Sequence, residues 1–250
     1  MSTGASRKRI TVRTLLEMKQ HGDPIVALTA YDYMFGRLVD AAGVDVVLVG
    51  DSLGQVVLGL DSTLGVTLED MIRHGAAVRR GVERALLVID MPFMTFHVDP
   101  RETVRNAGPA IAGRGVVHVM GHVGLTPQSV HALGGYRVQG RDDENARRIR
   151  EEAHRLADAG CFAVVLELVP AGLAAEITAS LPVPTIGIGA GGDCDGQVLV
   201  LYDMLGLNDT FDPKFLRRFA ELAGTSRAAV AGYVEAVRSR EYPGPEHVHE

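Results

Sequence analysis

Five side chains that can carry charge follow successive apolar segments of the chain. They are Asp32, Asp51, Asp90, His122 and Glu167, and each lies at or just after the end of a run rich in Val, Ile and Leu. A carboxylate in such a place must be paired or hydrogen-bonded, because an unpaired buried charge is costly. Any one of them could cap a helix or pair with Arg. Five from separate segments favour a shared site.

The chemistry of such a site would be that of a bound cation. Two carboxylates together with water and substrate oxygens are typical ligands of Mg²⁺, and Asp51 and Asp90 are the best pair. A metal ion there would polarise a carbonyl group and stabilise an enolate. Glu167 would then be a natural general base.

Other motifs have simpler explanations. Gly187-x-Gly189-x-x-Gly192 has the spacing of a dinucleotide fingerprint but lies late in the chain with no clear helix after it, so we predict a glycine-rich turn. His118 could share a strand face with His122 as a metal pair, but a core or hydrogen-bonded histidine is expected. Residues 134–141 are interpreted as a mobile loop over the site or an ordinary surface loop.

Apolar strands alternate with amphipathic helices along the chain. The predicted strands are Pro24–Thr29, Asp45–Gly50, Ala85–Asp90, Val116–Gly121, Ala163–Glu167, Pro184–Ile188 and Val198–Tyr202. The predicted helices are Tyr33–Ala42, Leu68–Arg80, Pro100–Ala112, Glu144–Ala159, Gly172–Leu181, Pro213–Leu222 and Ser226–Ser239. This alternation predicts a parallel α/β sheet with right-handed crossovers. The pattern alone does not distinguish a closed barrel from an open sheet. In either, ligands meet the carboxyl ends of the strands.

Length and composition fit one globular domain. The chain has 250 residues and a formal net charge of −6, which argues against nucleic acid as the main partner. We expect a single domain over 1–250, with a short tail at about 1–9 and a surface tail at about 242–250. The two cysteines, Cys161 and Cys194, lack any paired spacing and are interpreted as packing residues. With no signal peptide or membrane-spanning run, we predict a cytoplasmic location.

Taken together, the motifs resemble those of the ketopantoate hydroxymethyltransferase family. Those that carry the resemblance are Leu28–Thr–Ala–Tyr–Asp–Tyr33, Val49–Gly–Asp–Ser–Leu–Gly54, Asp61–Ser–Thr63, Asp90–Met–Pro–Phe93, Gly121–His–Val–Gly–Leu–Thr–Pro–Gln–Ser129, Gly134–Gly–Tyr136, Gln139–Gly–Arg141, Glu167–Leu–Val–Pro170, Ile186–Gly–Ile–Gly–Ala–Gly191, Asp195–Gly–Gln197 and the terminal Tyr242–Pro–Gly–Pro–Glu–His247. They follow in order over nearly the whole chain.

The resemblance implies a fold and a reaction. The family forms (β/α)₈ barrels of the phosphoenolpyruvate mutase and isocitrate lyase type. Its members transfer a hydroxymethyl group from 5,10-methylenetetrahydrofolate to 3-methyl-2-oxobutanoate, giving ketopantoate for pantothenate synthesis. On this basis Asp51 and Asp90 would bind Mg²⁺ and substrate, Ser52 and His122 would contact the substrate, and Glu167 would be catalytic. Homo-oligomers, often decamers, are expected.

One departure from the family pattern concerns the middle of the chain. The family has a further strand between those that end at Asp90 and His122, and this strand carries a Lys and a Glu. Here one helical segment, Arg101–Arg114, leads directly into the next strand, so seven strands are counted instead of eight. The protein is therefore a shortened and weak or inactive relative, a rearranged barrel, or a chain that has lost a segment.

Two further interpretations stay open on the sequence. A Mg²⁺-dependent C–C lyase or mutase acting on 2-oxo acids would use the same acids, although the loop at 122–127 and the turn at 187–191 favour the transferase. A non-catalytic binding or assembly protein is favoured by the missing Lys and Glu. The retained Asp51, Asp90 and Glu167 argue against that interpretation.

Overall fold

The computed structural model describes residues 8–111, 118–129, 135 and 137–249. Its chain divides into two compact units, Met1–Val200 and Leu201–Glu250. The first unit contains all the strands of the described sheet together with the candidate site. Residues 112–117, which include the beginning of the predicted strand Val116–Gly121, lie outside the described residues, as do Gly134 and Tyr136 of the predicted loop.

Seven parallel strands form one sheet in the first unit. They are β1 (Ile25–Thr29), β2 (Val46–Val49), β3 (Leu86–Ile89), β4 (Met120–Gly124), β5 (Ala163–Glu167), β6 (Thr185–Ile188) and β7 (Gly196–Leu199). Their order is β3-β2-β1-β7-β6-β5-β4, and each neighbouring pair is parallel. This confirms the predicted α/β class and the count of seven strands.

Helices connect the strands and cover the sheet. The first unit has α1 (Val12–His21), α2 (Tyr33–Ala42), α3 (Leu53–Val56), α4 (Leu68–Gly81), α5 (Pro100–Ile111), α6 (Asp143–Asp158) and α7 (Ala171–Ser180), and the second has α8 (Leu201–Met204) and α9 (Leu222–Arg238). Short 3₁₀ turns lie at Thr63–Gly65, Pro127–Ser129 and Pro245–His247. None of the helices in the described part of the chain is both long and apolar enough to cross a bilayer.

The sheet curls so that its two terminal strands approach each other at their carboxyl ends. In the strand order β3 and β4 are at opposite ends. Even so, the side chain of Gln128, just after β4, donates hydrogen bonds to the carbonyl of Met91, just after β3, and to Asp51, just after β2. A flat sheet would hold these loops several strand spacings apart. The sheet is therefore a barrel that is open between β3 and β4.

The opening lies where the sequence lacks a strand–helix unit. Strand β5, which has a partner on each side, is buried over Ala163–Leu166, as expected for a strand covered on both faces. All four residues of β3 are only partly buried. The terminal strands are thus less covered than the interior strands of the sheet.

Buried side chains pack in clusters on both faces of the sheet. Side chains alternate between the faces of a strand, and on β5 Val164 and Leu166 pack in a cluster with α6 and α7. Ala163 and Val165 face the other way, into a cluster that includes Leu15 of α1. Helix α1 therefore contributes to the interior of the barrel.

The sequence prediction missed helix α1. Its signals are local: Thr11 caps the first turn through a capping box with Thr14, and Gly22 ends the helix in a left-handed conformation. Lys19 on this helix pairs with Asp195 at 2.8 Å and donates to the carbonyl of Thr178 at 2.9 Å. These contacts attach α1 to the connections around β6 and β7.

The predicted helix Pro213–Leu222 is wrong. The segment contains turns, and α9 begins only at Leu222. The backbone N–H groups of Phe219 and Leu222 donate to the carbonyls of Met204 and Leu205 instead of to carbonyls one helical turn earlier in the same segment. A helix-like pattern is overridden here by contacts within the second unit.

Candidate active site

Asp51 and Asp90 lie together at the carboxyl ends of β2 and β3. Asp51 is buried, with 5% of its surface exposed. Its backbone N–H donates to Oδ2 of Asp90 at 2.9 Å. A Cβ atom at Gly50 would lie 3.5 Å from this Oδ2 and only 2.8 Å from Oγ of Ser52. A side chain at position 50 would therefore crowd the hydroxyl of Ser52, while its contact with Asp90 would be an ordinary one.

Burial raises the pKa of both carboxyl groups, and nearby negative charge adds to the rise. Burial raises the pKa of Asp90 to about 7, and the neighbouring Asp51 carboxylate adds to the shift. Burial also raises the pKa of Asp51, against the hydrogen bond from Gln128 and the charge of His122. None of the main contributions to either pKa comes from a Lys or Arg among the described residues. Of the described residues, His122 is the positively charged group that lowers both pKa values.

Ser52 follows Asp51 and is oriented by a buried tyrosine. The hydroxyl groups of Ser52 and Tyr31 lie 2.8 Å apart, and either can be the donor. Tyr31 is almost fully buried at the carboxyl end of β1. A buried aromatic ring fixes the position of its hydroxyl, so Ser52 has a defined position beside Asp51.

His122 and Glu167 form a pair on the neighbouring strands β4 and β5. Nε2 of His122 lies 3.1 Å from Oε2 of Glu167, and the two side chains are 34% and 13% exposed. Burial lowers the pKa of His122, but the hydrogen bond to Glu167 and the charges of Glu167, Asp90 and Asp51 outweigh it, so the pKa is raised. The imidazolium form is therefore favoured within a group of three carboxyl groups.

The strand that carries His122 differs from the prediction. The predicted strand Val116–Gly121 overlaps with β4 only at Met120 and Gly121, and His122 lies inside the strand instead of after it. Glycines occupy positions 121 and 124 of this strand. In the structure they allow close packing, because a Cβ at Gly121 would lie 2.8 Å from Leu156, and one at Gly124 would collide with the carbonyl of Glu167.

A cavity of about 310 Å³ lies beside His122. It is lined by His122 and Val123 of β4 and by Glu152, Arg155 and Leu156 of α6. Consecutive strand residues point to opposite faces of a sheet, so a cavity that touches both His122 and Val123 extends around the edge of β4. The other edge of β4 pairs with β5. Solvent can therefore reach His122 through this cavity.

Two residues next to Asp51 were given no role by the sequence. Gln128 donates to Oδ2 of Asp51 at 3.0 Å. Thr63 is buried and lies close enough to help lower the pKa of Asp51, yet its Oγ1 has no hydrogen-bond partner of good geometry among the described residues. Both residues lie in motifs quoted for the family resemblance, which was the only signal in the sequence.

Other predicted residues lie outside this group. Asp32 caps α2 by accepting the N–H of Phe35 at 2.9 Å, the simpler of its two explanations. After Gly187–Gly192 comes β7 and no helix, so the glycine-rich turn is confirmed over the dinucleotide motif. His118 precedes β4 and is exposed, so of the predicted core or hydrogen-bonded histidine the core alternative is wrong. Cys161 and Cys194 are free thiols.

The donors present fit a Mg²⁺ ion that shares its coordination with water and substrate. In residues 8–111, 118–129 and 137–249 no three His, Cys, Asp or Glu side chains are arranged to hold a metal ion by themselves. Mg²⁺ commonly uses only one or two protein carboxylates and fills its octahedron with water and substrate oxygens. The carboxyl groups of Asp51 and Asp90, whose pKa values are raised, and the Thr63 hydroxyl, which has no well-formed hydrogen bond among the described residues, suit such an ion.

The fold defines the class of protein. A 2,3-dimethylmalate lyase described as a member of the phosphoenolpyruvate mutase/isocitrate lyase superfamily superposes with a TM-score of 0.57, over 95% of this chain and 91% of that chain, at 15% identity. The protein is therefore an α/β barrel of this type that lacks one strand–helix unit.

The sequence defines the family within this class. A family model described as ketopantoate hydroxymethyltransferase matches residues 9–117 and 110–245. The 3-methyl-2-oxobutanoate hydroxymethyltransferases of Syntrophotalea carbinolica and Pelobacter propionicus are 49% and 51% identical to this chain. The alignments cover 96% of this chain and 98% and 97% of those proteins. The chain belongs to the ketopantoate hydroxymethyltransferase family, whose members are one-carbon transferases.

The same comparisons locate the missing unit. Each alignment spans 263 positions, which exceeds the 250 residues of this chain, so the relatives contain residues that this chain lacks. The two matches of the family model meet and overlap at residues 110–117. In the sequence this overlap includes the last residues of α5 and lies before β4.

Proposed function

We propose that the protein transfers a hydroxymethyl group from 5,10-methylenetetrahydrofolate to 3-methyl-2-oxobutanoate, giving ketopantoate, with Mg²⁺ as the metal ion. The observation that carries the proposal is the meeting of the Asp51–Asp90 pair with the His122–Glu167 pair at the carboxyl ends of four strands. The membership in a family of one-carbon transferases supports it.

Each side chain has a role in this proposal. Asp51 and Asp90 hold Mg²⁺, which when bound would polarise the keto oxygen of the 2-oxo acid. Ser52, oriented by Tyr31, donates to an oxygen of the substrate. Glu167 removes the proton from C3, and the C3 carbanion equivalent forms the new bond to the one-carbon unit of the folate. Both C–N bonds of that carbon break with the addition of one water, which supplies the hydroxyl oxygen and leaves tetrahydrofolate as the second product. His122 hydrogen-bonds the substrate and stabilises the charge of Glu167 before the proton is taken.

The location and the assembly of the protein are also part of the proposal. We place the protein in the cytoplasm as a homo-oligomer, as the resemblance implies for the family. Within the second unit, α9 exposes Val230, Tyr233, Val234 and Val237, and an apolar stripe of this kind is typical of surfaces that become covered on assembly. Molar mass by light scattering tests the oligomer.

Turnover by the purified protein tests the reaction. Ketopantoate is measured after mixing it with 3-methyl-2-oxobutanoate, methylenetetrahydrofolate and Mg²⁺, and after removing the metal with EDTA. Asp90→Ala and Glu167→Ala are expected to lower kcat at least about 100-fold, since metal binding and proton transfer each supply factors of this order. Glu69→Ala, which removes an exposed carboxylate of α4, is the matched control.

The outcomes separate the transferase from a non-catalytic relative. Product that requires Mg²⁺ and is lost in both site variants, but not in the control, supports the proposal. No product from folded wild-type protein would mean that the missing unit carried chemistry that the remaining residues do not replace.

A further inference from the structure

Gln128 connects the two sides of the barrel opening. It lies in the 3₁₀ turn Pro127–Ser129 that follows β4. Its Nε2 donates to the carbonyl of Met91 at 2.9 Å and to Oδ2 of Asp51 at 3.0 Å. Met91 follows β3 and Asp51 follows β2, so a single carboxamide joins three strand ends.

This contact crosses the place where the backbone ladder stops. Strands β2 and β3 pair over four residues, and β4 and β5 over five. Strands β3 and β4 are the two ends of the strand order, so in the described part of the chain no ladder holds their carboxyl ends in register. A side-chain amide has two N–H donors, and both are used here, one on each partner.

The chemistry of the amide suits this position. Hydrogen bonds to a carboxylate are about twice as strong as those between neutral groups. A neutral donor therefore fixes one oxygen of Asp51 without adding charge to a group that already contains Asp90 and Glu167. A Lys there would neutralise the pair that is proposed to hold a cation.

We infer that Gln128 is a positioning residue that ties the loop after β4 to the loops after β2 and β3 and so sets the orientation of the Asp51 carboxylate. The role of Asp51 toward metal and substrate rests on the proposed function, whereas the tie across the opening does not. Residues that orient metal-binding carboxylates typically change metal affinity or activity about 10- to 100-fold when they are replaced.

The test replaces Gln128 with a side chain of similar length that cannot donate. Gln128→Met is compared with the wild type and with the control variant Gln197→Met. The Gln197 side chain also donates to a backbone carbonyl, that of Gly191 at 2.9 Å, but contacts no carboxylate in the described structure. Hydrogen–deuterium exchange is measured with EDTA present on peptides that cover residues 86–94 and 118–129. The Mg²⁺ activation constant, kcat and both KM values are measured well below the melting temperature.

The inference is supported if both peptides exchange faster in Gln128→Met but not in Gln197→Met. It also requires that the Mg²⁺ activation constant of Gln128→Met is raised about 10- to 100-fold, with an unchanged KM for the folate. Exchange in Gln128→Met equal to that in the wild type overturns it, whatever the activity. A lower melting temperature with an unchanged activation constant would reduce Gln128 to a stabilising contact and also overturns its positioning role. If the wild type forms no ketopantoate, the proposed function fails, and the exchange data still decide whether Gln128 ties the loops.

Discussion

At the scale of single residues, the site contains more negative charge than the described side chains balance. Asp51, Asp90 and Glu167 converge, and His122 is the main positive partner. Ionising two buried neighbouring carboxyl groups is costly without a cation. The cost is tolerable in a protein that binds a divalent ion, because the ion supplies the missing charge and makes the fully ionised pair the stable form.

Asp90→Asn tests this charge imbalance through the pH dependence of stability. Because the pKa of Asp90 is raised to about 7 in the folded protein, folding holds its proton more tightly than the unfolded chain does. The contribution of Asp90 to stability is thus full below its unfolded pKa, near 4, and is lost as the pH rises through about 7. Each pKa unit is worth about 1.4 kcal/mol, so the loss is at most about 4 kcal/mol.

Urea unfolding in EDTA between pH 4 and pH 8 measures this effect. The free energy of unfolding of the wild type is expected to fall relative to that of Asp90→Asn across this range, and Mg²⁺ is expected to restore it at pH 8. A difference between the two proteins that stays constant with pH would contradict the assignment of a buried, destabilised carboxyl group.

The sequence identified most of these residues and not their connections. Asp51, Asp90 and Glu167 could be found because acids are rare at the ends of apolar runs. The sequence did not assign roles to Tyr31, Thr63 and Gln128. Tyr31 lies 21 positions from its partner Ser52, and Gln128 lies 77 positions from Asp51, so only the fold brings these residues together. Asp32 has the same sequence setting as Asp51 but caps a helix instead.

At the scale of elements, glycines determine how closely the strands that carry the site approach each other. Gly124, the last residue of β4, pairs with Glu167, the last residue of β5. It has a φ of 92°, in the left-handed region, and a Cβ there would collide with the carbonyl of Glu167 and lie 2.8 Å from Val169. The position of Glu167 therefore depends on the absence of a side chain opposite it.

Gly124→Ala is expected to lower the free energy of unfolding by about 2–4 kcal/mol, from left-handed strain and the steric collision together. Activity is expected to fall further than the loss of folded protein explains, because Glu167 must shift. Gly172→Ala in α7, where a Cβ meets nothing within 4 Å, is the control and should leave stability unchanged or raise it by up to about 1 kcal/mol. Equal effects of the two substitutions would contradict the close approach.

Element boundaries followed from the sequence where local signals agreed with tertiary contacts. Helix α2 and strand β5 have the predicted bounds. Strand β4 begins at Met120, later than the predicted strand Val116–Gly121, and β7 begins two residues earlier than predicted, at Gly196. A Cβ at Gly196 would lie 2.5 Å from the carbonyl of Ile25, so this glycine permits the pairing with β1 that its type argues against.

At the scale of the whole sheet, the opening between β3 and β4 divides the strands into protected and less protected ones. Strand β1 has β2 on one side and β7 on the other, whereas β3 and β4 each have one partner in the described sheet. A backbone N–H without a partner in the ladder exchanges with solvent after small local fluctuations. The outward-facing amides of β3 and β4 should exchange faster than those of β1 by on the order of 100-fold or more.

Residue-resolved hydrogen exchange checks this gradient of protection, and the amides of β1 are the internal control. The measurement is repeated over a range of protein concentrations, because association between copies could cover the edges. Protection of β3 and β4 equal to that of β1 at every concentration would contradict an open barrel in the folded chain.

The part of the sequence between α5 and β4 is also a suitable place to insert a strand–helix unit. A strand–helix unit starts at the amino end of a parallel sheet and returns to it, and the chain from α5 to β4 makes the same return. A unit from a relative, inserted between Ile111 and His118, would therefore enter and leave in the correct direction without rethreading any other element. Its strand would meet β3 on one side and β4 on the other, so the seven present strands need no new order to become eight.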